Sequence, residues 1–180
     1  MCYMAKVERI DSYEVKSGES YFFDNNVWML LFSPIVNSKP QSQRKYAKLL
    51  REIRSRGGMI FVSSLILSEY VNSNLRLSFK LWEKSTGNIG ADYKRDYRPT
   101  QEYRDEVAAV ESQVDEILKI TERKPDDFNS IHIDGVLKNM VNSDFNDEYY
   151  IRLCELNNLK LVTDDTDILS TPRNVEIITK

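Results

Sequence analysis

Apolar positions along this chain follow two periods, and the period changes where the elements change. Tyr21-Phe22-Phe23, Met59-Ile60-Phe61-Val62 and Leu159 with Leu161-Val162 are short, nearly continuous apolar runs. Runs of that length suit strands buried on both faces. Val175-Glu176-Ile177-Ile178 reads as a last strand. Between the strands the spacing turns helical. Val27 to Phe32, behind Asn25-Asn26, predicts a short buried helix. Pro40 opens a helix to Arg56 with Tyr46, Leu49, Leu50 and Ile53 on one face, and Gly57-Gly58 ends it. Ser63 or Ser64 caps a third helix, which carries Glu69 in its second turn and runs past Trp82. Thr100 caps a fourth, to about Arg123, with Val107, Val110, Val114, Ile117 and Leu118 as its core face. Residues 128–141 fit either period and are assigned to helix. A helix beginning at Asp144 to Asp147 and stopped by Asn157-Asn158 leads into the Leu161-Val162 strand.

Strand and helix alternating in this way predict an α/β fold around a parallel sheet. The 180 residues make one domain, 1–180, in which 1–19 form an N-terminal arm or edge strand and about 84–140 a helical insertion. Hydrophobic residues at 41% support a real core. The net charge of −3 excludes a global basic field, so any contact with nucleic acid rests on local positive charge. Cys2 and Cys154 form no CxxC pair and no ligand spacing with His132, the single histidine, which argues against zinc. A disulfide has nothing to support it. The longest apolar run, Val27 to Val36, contains Pro34 and is too short to span a bilayer. No basic region followed by an apolar run opens the chain, and the expected setting is cytoplasmic, without membrane contact.

The unusual feature is acidic. Asp24 ends the first buried strand, and Asp164, Asp165 and Asp167 follow Thr163 where another ends. In a parallel sheet function gathers at the carboxyl ends of the strands. Glu69 leans back toward the strand before its helix, because helical side chains tilt toward the N-terminus. Asp147, opening its helix, can enter the same crevice. Four oxygen donors from four segments would suit Mg2+ or Mn2+. Asp164 is expected to be simply exposed, His132 to be a surface or packing residue, and Cys154 and Trp28 to be core.

These residues resemble the PIN-domain nuclease family, which includes the VapC-like toxin ribonucleases of toxin–antitoxin pairs. Asp24-Asn25-Asn26 matches its first motif, with Asn25 where the family usually has a hydroxyl residue. Ser64 and Glu69 match the second, Ser-x-x-x-x-Glu. Asp147 stands at the usual separation from Leu161-Val162-Thr163, and Asp165 falls where the family's last acid sits. The resemblance implies a PIN-like three-layer α/β/α fold and a metal-dependent endoribonuclease leaving 5′-phosphate and 3′-hydroxyl ends. It implies Asp24, Glu69, Asp147 and Asp165 as catalytic, metal-holding residues, with Asp144 and Asp167 as accessory candidates. It also implies an RNA substrate, an antitoxin partner if the chain is a toxin, and a homodimer. Asn26 and Thr163 are candidates for substrate contact. So, by composition, are Arg76, Lys94, Arg95 and Arg98, with Lys80 beside them and Tyr93, Tyr97 and Trp82 for stacking, and the basic face from Arg44 to Arg56. The alternative is a catalytically silent PIN-like interaction or RNA-binding module. Aspartyl phosphatase and phosphate-receiver readings fail on Asn26 and on the lack of a suitably placed lysine.

Overall fold

The computed structural model describes residues 4–36, 39–141 and 143–180; Cys2 lies outside the described residues. A six-stranded sheet forms the middle layer, built from β1 (Lys6–Arg9), β2 (Ser20–Phe23), β3 (Met59–Val62), β4 (Glu122–Arg123), β5 (Lys160–Val162) and β6 (Glu176–Thr179). Their order is β1-β6-β5-β2-β3-β4, and every neighbouring pair is parallel. All carboxyl ends therefore share one edge of the sheet. From β2 the chain moves outward to β3 and β4, then returns to the other side of β2 as β5. That reversal opens a crevice beyond the carboxyl ends of β2 and β5.

Successive side chains of a strand point to opposite faces. Phe22 meets Tyr150 on one side, with ring centroids 5.3 Å apart, and Phe23 meets Trp28 on the other at 5.1 Å. Helices thus cover both faces, and the core lies on each side of the sheet. The layers are the α/β/α arrangement the sequence predicts.

Each helix has a chemical start and stop. α1 (Asn25–Phe32) begins on the Asp24 carboxylate and α2 (Pro40–Ser55) with proline at its first position, burying Tyr46, Leu49 and Ile53. Gly57 turns α2 back at φ 71°. Gly58 has room for no side chain, since a Cβ would stand 2.9 Å from the Ile53 methyl. Ser63, rather than Ser64, caps α3 (Ser64–Thr86); the Ser64 hydroxyl donates to Asp126 instead. Thr100 caps α4 (Gln101–Lys119), and α5 (Ile133–Asn139) is the short helix of the ambiguous stretch. α6 (Phe145–Asn157) is capped by Asp144 and ended by Asn158 in the left-handed region.

Three expectations change. Residues 1–19 do supply an edge strand, but only as β1. The fourth helix stops at Lys119, and Glu122–Arg123 pair with Phe61–Val62 as a two-residue edge strand. The break after Lys84 contains a π-helical turn, Tyr93–Tyr97, whose second and third N–H groups, from Lys94 and Arg95, donate to Asp92. Among the described residues no helix is long and apolar enough to cross a membrane.

Candidate active site

Asp24 stands between the end of β2 and the start of α1, as the N-cap of the helix, and its carboxylate is held from several sides. The Asn25 N–H donates to Oδ1 at 2.6 Å, and the Thr163 hydroxyl and the Asn26 amide each donate to Oδ2 at 2.7 Å. Asp24 is 4% exposed. Burial, followed by the charges of Glu69 and Asp165, outweighs these hydrogen bonds and pushes its carboxyl up to about 7.

Glu69 comes from the second turn of α3. Its Oε1 accepts from the Asn25 amide at 3.1 Å, and its Oε2 accepts from the Tyr150 hydroxyl at 2.7 Å and the Asn146 amide at 2.8 Å. One lone pair on Oε1 stays open, as a carboxylate has about four acceptor positions. Asp147 lies in the first turn of α6 and is partly buried. Burial, then the charges of Asp144, Asp24 and Asp165, push it up to about 7 as well. Asp165 follows β5; its N–H donates to the Thr163 hydroxyl at 3.0 Å, and its Oδ1 accepts from the Asp167 N–H at 2.9 Å.

The charges of Glu69 and Asp165 reach Asp24, and those of Asp144, Asp24 and Asp165 reach Asp147, so Asp24 links the acids of one crevice. Asp167 does not join them. Its side chain borders a separate cavity of about 350 Å³ with Asn139, Ser143 and the buried Glu148. Among the described residues no three acidic, histidine or cysteine side chains form a ready-made metal cage. Mg2+ does not need one, because it commonly keeps several waters and takes one or two carboxylates directly. The donor set fits such an ion: two partly or wholly buried carboxyls are pushed up to about 7 by burial and then by neighbouring carboxylates, and a hard cation would relieve them. Asn25 Oδ1, buried with no donor, adds an unused oxygen on the residue that binds Glu69.

Several assignments require correction. Thr163 is fully buried, and its hydroxyl serves Asp24, Asn26 and the Asp165 N–H, so it braces the acids rather than touching substrate. Asn26 is a clasp too: its Nδ2 reaches Asp24 and Thr163, and its Oδ1 accepts from the Asp164 N–H at 3.0 Å. Asp164 is not an exposed acid. Its side chain is 3% exposed and accepts from Lys180 at 2.8 Å, Lys39 at 3.1 Å and Tyr46 at 3.2 Å. Burial opposes its ionisation, but the two lysines win and hold it below its usual value.

The positive charge is also placed elsewhere. α2 starts near Asp164 and runs antiparallel to the strands, carrying Arg51, Arg54 and Arg56 to the opposite edge of the sheet. Arg76 stands seven residues beyond Glu69, a rise of about 10 Å. Lys94, in the π-helical turn, and Arg98, which follows it, lie beside the later turns of α3, and Arg95 pairs with Asp96 at 2.8 Å. Tyr97 is fully buried and cannot stack on a ligand; with Phe79, Trp82, Tyr93 and Tyr103 it forms an aromatic cluster joining the π-helical turn to α3 and α4.

Asn146 and Tyr150, which hold Glu69, were not singled out from the sequence, although an i, i+4 pair beside Asp147 was the available signal. Below Asp24 lies Cys154, fully buried, its thiol raised by burial and by the Asp24 charge. Trp28 is core, as expected.

The sequence profile of the PIN domain family matches residues 21–174. No curated protein matches the chain. Among solved structures, VapBC2 from Rickettsia felis bound to a DNA fragment from their promoter aligns at 16% identity, covering 88% of this chain and 98% of that one, with a TM-score of 0.52. PAE2754 from Pyrobaculum aerophilum aligns at 18% identity over 89% and 83%, with a TM-score of 0.45. At such identities the likeness extends to the fold alone.

Proposed function

Since the chain belongs to the PIN domain family, whose members are generally nucleases, we propose that it is a Mg2+- or Mn2+-dependent endoribonuclease. One observation supports this above the others: Asp24 and Asp147 are each pushed up to about 7 by burial and by surrounding carboxylates. Carboxylates brought so close repel unless a cation lies among them. A bound divalent ion would supply an acidified water and offset charge building on the phosphate.

The chain's own residues prepare the place. Asp24 and Asp147 would take the ion directly, with Asp165 and the open lone pair of Glu69 completing its surroundings and Asp144 adding charge from the outside. Thr163, Asn26 and the Asn25 N–H fix the Asp24 oxygens before any ion arrives. Tyr150 and Asn146 do the same for Glu69. No side chain is required as a covalent nucleophile, in keeping with a thiol at Cys154 that is buried and protonated.

RNA is the proposed substrate, the cytoplasm the proposed setting, and toxin of a toxin–antitoxin pair the proposed biological role, with an antitoxin as partner and self-association as a dimer. The test is cleavage of single-stranded RNA with Mn2+, by wild type and by Asp24→Asn, beside a Mn2+-induced thermal shift. Cleavage and shift should both be lost in the variant. Equal cleavage by both proteins would assign the activity to a contaminant and overturn the proposal. A second reading, a silent PIN module, draws on the three donors already bound to Glu69; a shift with no cleavage on any RNA would favour it.

A further inference from the structure

Helix α3 runs for 23 residues, and only its start belongs to the acidic crevice. Its later turns border a cavity of about 510 Å³, into which the π-helical turn also projects. Four cations line it: Arg76, Lys80, Lys94 and Arg98. All four are exposed, and none of them forms an ion pair among the described residues. Phe79 and Tyr93 supply its apolar wall, packed edge to face at 5.3 Å, and the Arg98 guanidinium lies 5.6 Å from the centre of the Tyr93 ring. Glu83 is the one acid in the lining, and its Oε1 is taken by the Gly90 N–H at 2.9 Å.

This cavity is aligned with the acids. At about 100° per residue, Arg76 and Lys80 fall within about 20° of Glu69 on the helix surface. One stripe of α3 thus carries the acidic crevice near its first turns and positive charge two to three turns later. We infer that the cavity between α3 and the π-helical turn is an anchoring site for the phosphate backbone of a single RNA strand, held at a distance from the bond that the acids would cleave.

A chain of net charge −3 that gathers four unpaired cations around one aromatic-walled hollow matches a polyanion with flat rings. Lys80 stands eleven residues after Glu69, a rise of about 16 Å, which is about five nucleotides of a strand stacked as in a duplex at about 3.4 Å each, and fewer of an extended one. The inference rests on the ribonuclease reading for the identity of the strand, and its test is arranged to separate the two.

The experiment measures binding of a labelled uridine 20-mer by fluorescence anisotropy in EDTA, across a salt series, without cleavage. Arg76→Gln/Lys80→Gln/Lys94→Gln should weaken binding at least about tenfold. It should also flatten the slope of log K against log salt by about two, as loss of three single-strand phosphate contacts requires. Lys16→Gln/Arg51→Gln/Arg54→Gln removes equal charge at the other sheet edge and should change neither quantity. Equal weakening in both triple variants, or no change in the first, overturns the anchor. So does a poly-glutamate peptide that binds the wild type and loses its affinity in the first variant while the 20-mer does not, since the site would then belong to an acidic protein segment. If the anchor binds as stated but no RNA is ever cut, the nuclease reading falls and the anchor remains. If RNA is cut with the same KM by wild type and the first variant, the anchor falls and the nuclease reading remains.

Discussion

Thr163 does more for the acidic crevice than its single hydroxyl suggests. It donates to Asp24 Oδ2 and accepts from the Asp165 N–H and the Asn26 amide, and the threonine itself is fully buried. Thr163→Val keeps the shape and strands those groups, so it should cost about 1–3 kcal/mol in urea denaturation. RNA cleavage should fall with it, because Asp24 and Asp165 lose their common brace; full activity would contradict that role. Asp147 gives a pH dependence. Burial and neighbouring acids raise its carboxyl to about 7, so the folded chain holds this proton more tightly than the unfolded chain does. The stabilising effect of protonation is therefore complete below about pH 4 and is lost as pH rises toward 7. In EDTA at about pH 7.5, Asp147→Asn should be the more stable protein by on the order of 1 kcal/mol, a figure discounted for the partial exposure of the site. At about pH 4 the two should coincide. A constant difference across that range would show that charge is not its cause.

At the level of elements, α6 joins two roles in one turn. Asp144 accepts from the Asp147 N–H at 2.9 Å, capping the helix whose first turn presents Asp147. Asp144→Ala should lose about 1 kcal/mol, and Asp144→Ser, which keeps the cap, should recover it. The serine variant should also retain most of the RNA cleavage; a loss as complete as that of Asp24→Asn would make Asp144 a direct ligand. This helix could be read from the sequence because cap, apolar stripe and Asn158 stop are all local. β4 could not. Glu122 and Arg123 carry no strand pattern, and only pairing with Phe61 and Val62, distant in sequence, makes them one. The π-helical turn escaped for the same reason, since Phe79, Trp82 and Tyr103 pack around it from two other helices.

Across the whole molecule, strand direction decided which functional residues could be foreseen. Asp24 and Asp165 follow adjacent parallel strands, Glu69 lies in the second turn of the helix after β3, and Asp147 in the first turn of the helix before β5, so a parallel sheet alone draws them toward one edge. The cations had no such guide. They lie on helices that leave that edge, and how far they travel depends on helix length and orientation rather than on composition. The same crowding has a further result at Cys154, which sits beneath Asp24 with no exposed surface. Its sulfur can meet an alkylating reagent only when the sheet and α6 part, so in a Cys2→Ser background its labelling becomes a clock for opening of the entire domain. Added Mn2+ should slow that clock in the wild type and leave it unchanged in Asp24→Asn. Labelling as fast as that of a free thiol would mean that the layer over Cys154 is not closed.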